Sequence, residues 1–240
     1  MNTQSNTYTF IYAAIMVIVV AALLSIAAMS LKPMQDKNVE VEKKKSILSS
    51  VSLGQDADEK PNKNEYIEEL YDKYIVNSYI VNSKGEKVEG NAFTVDLKKE
   101  LAKSENERNL PVFVSKQDDG TKNVILPVRG KGLWGPVWGY IALKDDYNTV
   151  VGATFDHKSE TPGLGAEINT DAFEQQFKGK KLFNEQGKFV SIDVVKGGAP
   201  EGDIHGVDAI SGGTITSNGV DAMLENGLGS YVSYFKKHQK

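Results

Sequence analysis

Between Phe10 and Leu31 the chain reads FIYAAIMVIVVAALLSIAAMSL, without a single charged side chain. As a helix rising about 1.5 Å per residue, this stretch spans roughly 30 Å, the thickness of a bilayer's hydrocarbon core. Residues 10–31 therefore read as a transmembrane helix behind a short tail, residues 1–9. A cleaved signal peptide fits less well. Such peptides carry a basic first region and an apolar core of about 7–15 residues, whereas MNTQSNTYT contains neither Lys nor Arg. Orientation is contested by the lysines that follow the apolar run: Lys32, Lys37 and Lys43 to Lys45 would hold the C-terminal side in the cytoplasm if basic residues alone decided.

The remainder can bury one sizeable core, since 40% of the 240 residues are hydrophobic. With 28 basic against 32 acidic side chains the net charge is -4, and no basic patch interleaved with aromatics is present, so nucleic acid is not an expected partner. The chain has no cysteine, which excludes disulfides, thiolate catalysis and cysteine-ligated zinc or iron–sulfur centres. His157, His205 and His238 stand far apart, without the spacing of a helical metal site, and no metal is expected.

Residues 32–61 form a charge-rich juxtamembrane segment in which Ile47, Leu48 and Val51 suit a short helix, before the loop GQDADEKPNKN. The globular domain is expected over residues 62–240. It opens with a helical pattern at Tyr66 to Ile75 and a hairpin, VNSYIVNSKGEKV, turning at Ser83 to Glu86. Strand-like runs follow at Pro111 to Ser115, Asn123 to Arg129, Gly139 to Leu143, Val150 to Asp156 and Phe189 to Val195. Helical patterns lie at Leu97 to Ala102, Asp171 to Phe177 and Val220 to Phe235. Adjacent strands joined by short turns, with helices at the ends, indicate an α+β domain around a twisted, mainly antiparallel sheet flanked by helices.

Three segments hold more than structural chemistry. GKGLWGPVWGYIAL, residues 130–143, surrounds Trp134 and Trp138 with glycines; it is either a tight corner capping the core or an aromatic wall for a planar ligand. DHKSETPGLGAEI, residues 156–168, ends a strand in a loop that pairs His157 with Glu160 in sequence. The third, DAISGGTITSNG, residues 208–219, places Ser211, Thr214, Thr216 and Ser217 around Gly212 and Gly213 where a helix is about to begin near Ser217. One hydroxyl suffices as a cap. Free N–H groups and the positive end of a helix dipole also suit a phosphate, held by hydrogen bonds or by esterification of one hydroxyl; residue types alone leave both open. No phosphate-loop lysine and no dinucleotide fingerprint accompany the glycines.

The same three segments resemble a known family. DAISGGTITSNG is similar to the flavinylation motif Asp-x-x-Ser/Thr-Gly-Ala-Thr of FMN-binding-domain proteins, and GKGLWGPVWGYIAL and ETPGLGAEI resemble two further landmarks of the NqrC family of sodium-translocating NADH:quinone oxidoreductases. The likeness runs through essentially the whole chain. It implies one covalent FMN, joined by a phosphoester to Thr214, with Asp208 read by a dedicated flavin transferase and Ser211, Gly212 and Gly213 shaping the turn. Thr216 is a second acceptor, because Gly213 stands where the family has Ala. The resemblance puts Glu160, Thr161 and Leu164 beside the flavin ring and Gly132 and Trp134 on a neighbouring wall. Redox chemistry would belong to the cofactor.

The implied role is single-electron relay within a membrane-bound complex, inactive as an isolated chain. Its partners would be other subunits of the reductase, the transferase and the lipid bilayer. The family's flavin domain lies on the periplasmic side of the bacterial inner membrane, against the lysine count. The nearest alternative is the RnfG family of the Rnf electron-transport complex, which shares the flavin motif; an alternative of a different class is a membrane-anchored scaffold without cofactor.

Overall fold

A computed structural model of the chain describes residues 5–239. The chain divides into two compact units, the first ending at Lys43 and the second running from Lys44. Helix α1, Asn6–Ser49, contains the apolar run and is long and apolar enough to cross a membrane. Most of the expected tail is outside the described residues or is helical. The helix also runs unbroken through Pro33 and the charged segment, so the short juxtamembrane helix expected around Ile47 is the end of α1 and not a separate element. Spaced charges favour that continuation, as in the i,i+4 pair of Lys32 and Asp36 at 2.8 Å.

The second unit starts earlier than residue 62 because Ile47, Leu48 and Val51 are core residues, not an isolated juxtamembrane face. Helix α2, Lys63–Tyr74, leads straight into strand β1, Ile75–Asn82, which turns back as β2, Lys87–Val88. The expected turn forms at Ser83 to Glu86: the Asn82 side chain accepts from the N–H groups of Lys84 and Glu86, both at 3.0 Å. After the short helix α3, Leu97–Leu101, come β3, Asn109–Lys116, β4, Lys122–Lys131, β5, Pro136–Lys144, and β6, Val150–His157. These strands form one antiparallel sheet in the order β2-β1-β3-β4-β5-β6, so the α+β expectation holds.

Both faces of that sheet are covered, which explains the continuous apolar runs in β3 to β5. Val112, Leu126 and Ile141 point to one core, shared with Phe173, Phe177, Leu224 and Phe235. Their neighbours Phe113, Ile125 and Ala142 point to the other, shared with Ile47 and Val51. The segment after β6 is mostly irregular. It holds helix α4, Asp171–Glu174, and two short parallel strands, β7, Asp193–Val195, and β8, Gly206–Asp208. The expected strand at Phe189 to Val195 thus shrinks to its last part, and a single bridge joins Phe183 to Phe189. The expected C-terminal helix divides into α5, Thr214–Gly229, and α6, Val232–His238.

At the open edge of β6, Glu174 accepts the Phe155 N–H at 2.6 Å. Burial pushes its carboxyl up to about 7, reinforced by the nearby Asp171 and Asp156 charges and opposed by the Phe155 hydrogen bond. A carboxyl raised on folding stabilises fully below its ordinary value near 4.5, and this contribution is lost as pH climbs from there through 7. Glu174→Gln keeps an acceptor for Phe155 and cannot ionise. It is expected to leave the melting temperature of the detergent-solubilised chain near wild type at pH 4.5 and raise it at pH 8, where the stability gained is on the order of 1–2 kcal/mol after discounting for partial exposure. Equal shifts at both pH values would contradict the assignment.

Candidate functional site

The site lies where three irregular segments meet the N-terminus of α5. The first is the β4–β5 turn around Gly132 and Leu133, the second the loop from Glu160 to Gly165 after β6, and the third the 210–213 loop after β8. Between them is a cavity of about 240 Å³, lined by Leu133, Glu160, Thr161, Leu164, Gly165 and the run Gly212 to Thr216.

Helix α5 begins at Thr214, earlier than the sequence suggested, with Gly213 as its cap residue and no side-chain cap. Gly212 makes that entry possible with φ +74°, a left-handed conformation that costs glycine little. Ser217, near which the sequence places the helix start, does not cap it. Ser217 sits inside the helix, where its N–H donates to the Gly213 carbonyl at 2.8 Å and its hydroxyl accepts the Ile210 N–H at 3.0 Å. The helix geometry leaves the N–H groups of Thr214, Ile215 and Thr216 without helical acceptors, at the positive end of the dipole.

The hydroxyls of the opening stretch therefore divide by environment. Thr216 is 2% exposed and donates to Glu160 Oε2 at 2.6 Å, while Ser217 is fully buried. Ser211 is exposed and lines an adjoining groove of about 490 Å³ instead of the cavity. Thr214 is half-buried on the cavity wall, and its hydroxyl makes no hydrogen bond among the described residues.

Glu160 ties the segments together. Its Oε1 accepts the Trp134 N–H at 2.8 Å, its Oε2 holds Thr216, and its own N–H donates to His157 Nδ1 at 3.1 Å. His157 and Glu160 thus interact through backbone and ring, not as a carboxylate–imidazole pair. Burial would raise the Glu160 carboxyl, but the Thr216 hydroxyl and the N–H groups of Trp134, Leu133 and Gly135 outweigh it and hold the group below its ordinary value. Two glycines make room for it. A Cβ on Gly132 would stand 2.6 Å from Glu160 Oε1, and one on Gly165 would stand 2.7 Å from Glu160 Oε2 while overlapping the Thr216 hydroxyl.

Glu160, Thr161, Leu164, Gly212, Gly213, Thr214 and Thr216 come together around the cavity as the sequence suggested. Gly132 reaches it as backbone spacing against Glu160. Trp134 contributes its N–H, but its side chain is 66% exposed and is not part of the lining; Leu133 supplies that wall. Trp138 is built into β5, so the two tryptophans do not form one aromatic surface. Asp208 lines the adjoining groove with Ser211. It closes β8, and its carboxylate accepts the Ala199 N–H at 2.7 Å while its N–H donates to Gln176 at 2.7 Å. Leu133, Gly165 and Ile215 were not singled out, although each adjoins a residue that was.

Apolar walls, a free hydroxyl and unpaired helix N–H groups fit a flavin with its phosphate: the walls suit the ring, and the helix mouth suits the anion. Comparisons with known proteins agree. Residues 132–229 match the family model of the FMN-binding domain. The chain is 35% identical over 228 residues to the NqrC chain of the Na(+)-translocating NADH-quinone reductase of Vibrio vulnificus, covering 88% of this chain and 86% of the relative. It is 33% identical over 256 residues to the NqrC chain of Haemophilus ducreyi, covering 98% and 96%. The crystal structure of NqrC from Parabacteroides distasonis superposes with a TM-score of 0.74 at 44% identity, over 85% of this chain and 96% of that one. NqrC of Shewanella oneidensis superposes with a TM-score of 0.68 at 30% identity, over 82% and 96%.

Gly165→Ala tests the cradle. The added methyl would separate Glu160 from Thr216, so the substitution is expected to cost about 1–3 kcal/mol, roughly 2–4 °C of melting temperature per kcal/mol for a chain of this size. A melting temperature within 1 °C of wild type, roughly the resolution of the method, would show that the pair is not held as described.

Proposed function

Because the chain belongs to the NqrC family of Na(+)-translocating NADH-quinone reductases, we propose that it is the electron-transfer subunit of such a complex, carrying one FMN esterified through its phosphate to Thr214. When bound, the flavin supplies the redox chemistry. The flavin-binding module is the unit from Lys44 onward, and α1 is its membrane anchor.

The observation that carries this reading is the unequal state of the hydroxyls. Thr214 opens α5 on the cavity wall with an unengaged hydroxyl, whereas the Thr216 hydroxyl is committed to buried Glu160. The unpaired N–H groups of the first helical turn are placed to receive the phosphate oxygens, and the Leu133, Leu164 and Ile215 side chains to exclude water from the ring. Glu160 and the glycines beside it hold the three cavity segments in register. A tether of this kind keeps the cofactor from dissociating between electron transfers. Asp208 and Ser211, exposed beside the adjoining groove, are the residues the maturation transferase would meet.

The unit from Lys44 onward is placed on the periplasmic side. Lysines beside the apolar run weigh against this, but they have structural work to do: Lys45 pairs with Asp58 at 2.7 Å and Lys44 with Glu68 at 3.3 Å. The charges of Lys44 and Lys45 are thus met within the fold, and the periplasmic placement follows the family resemblance over the lysine count.

Co-expression with a flavin transferase is expected to give a chain whose flavin fluorescence survives denaturing electrophoresis. Thr214→Val should lose the fluorescent band and Thr216→Val should keep it; a fluorescent Thr214→Val band would refute the attachment. Protease added to spheroplasts is expected to digest the unit beyond Lys44, and protection there would overturn the placement.

A further inference from the structure

Glu160 carries its negative charge in an unusual setting. It is 4% exposed, yet no lysine or arginine pairs with it among the described residues. His157 receives its backbone N–H, not its carboxylate, and Lys131 and Lys158 are exposed. Only dipoles face the oxygens: the Thr216 hydroxyl at 2.6 Å and the Trp134 N–H at 2.8 Å, with the N–H groups of Leu133 and Gly135 beside them. Such donors stabilise an anion without cancelling its net charge. A glutamine would fill the same space and satisfy the same neighbours at a far lower desolvation cost. Stitching the three segments together therefore accounts for a hydrogen-bonding side chain at this position and leaves the charge itself without a structural purpose.

We propose that Glu160 sets the reduction potential of the flavin, its carboxylate acting as a fixed negative charge on the cavity wall that opposes the arrival of electrons on the ring. The proposal rests on the flavin reading given above. Full reduction adds two electrons and either one proton, leaving the ring an anion, or two protons, leaving it neutral; within the complex the electrons derive from NADH oxidation. A like charge at the wall of a largely apolar cavity raises the energy of the negatively charged ring more than it would in water. Charge near the ring is one of the protein's means of tuning a flavin. Glu160 is thus a positioning and charge-setting residue, and it takes no part in bond making.

The test uses the full-length, detergent-solubilised chain, loaded with flavin by co-expression with the transferase and titrated spectroelectrochemically at pH 7. Glu160→Gln can accept the N–H groups of the β4–β5 turn through Oε1 and donate to Thr216 through Nε2, so it removes the charge and keeps the connections. Its midpoint potential is expected to shift to a less negative value. Thr216→Val keeps the charge and removes one donor, and its potential is expected not to rise. An unchanged potential in Glu160→Gln overturns the proposal, as does an equal rise in both variants, which would trace the effect to disturbed geometry. A Glu160→Gln chain that carries no flavin while wild type does also overturns it, because the carboxylate would then serve attachment. Wild type retaining no flavin would instead bring down the attachment reading and this inference with it, so the two failures are distinguishable.

Discussion

A buried carboxylate on a loop is expensive unless donors converge on it, and the cavity is built around that requirement. The Glu160 oxygens draw the β4–β5 turn from one direction and the first turn of α5 from another. Convergence demands close approach, which in turn demands glycine at 132 and 165, where a methyl would meet the carboxylate. The helix entry is then nearly determined. With the Thr216 hydroxyl held against Glu160 and the Ser217 hydroxyl against Ile210, Thr214 brings the unengaged hydroxyl of the helix start to the cavity wall.

The same close approach continues along α5. Gly219 faces the backbone of Lys131 and Gly132, leaving no room for a side chain, and Met223 and Leu224 pack into the core beneath the sheet. The mouth of the helix is thus anchored to the β4–β5 hairpin by backbone packing as well as by the Glu160–Thr216 bond. A rigid sheet covered on both faces positions the site, and the irregular loops supply its polar groups, the usual division between scaffold and function.

Much of this was legible in the sequence. Strands β3 to β6 announce themselves because strongly apolar runs sit between Gly, Pro and Asp turns, and the hairpin turn because Asn82 and Gly85 favour it. The motif residues were legible as a group of hydroxyls at a helix mouth, and the family likeness assigned them roles. What could not be read were features fixed by long-range contacts. Nothing local distinguishes Thr214 from Thr216; the difference is a bond to a glutamate far away in the chain. The helical course through residues 32–49 was hidden by Pro33 and the charge cluster, since the packing of Ile47 and Leu48 into the sheet's second face is invisible without the sheet. The strand expected at Phe189 failed for the converse reason: its apolar residues pack against the core, but no neighbouring strand is there to pair most of its backbone.

Gly213 is the point at which this chain departs from the motif it resembles, and its surroundings show how little that departure disturbs. Loss of a methyl would by itself loosen a turn. Yet the backbone of Gly213 is pinned at both ends, its N–H donating to Ile210 at 3.0 Å and its carbonyl accepting from Ser217 at 2.8 Å. Its φ of -101° is open to any residue, so no left-handed strain requires glycine here. What stands in the space of a methyl is Ile210, whose Cγ2 would lie 2.9 Å from an added Cβ. An alanine would need Ile210 to shift by a few tenths of an ångström, so the glycine matches the local packing of a branched neighbour. The hydrogen bonds that aim α5 at the cavity do not pass through the missing methyl, and the position of Thr214 does not depend on it.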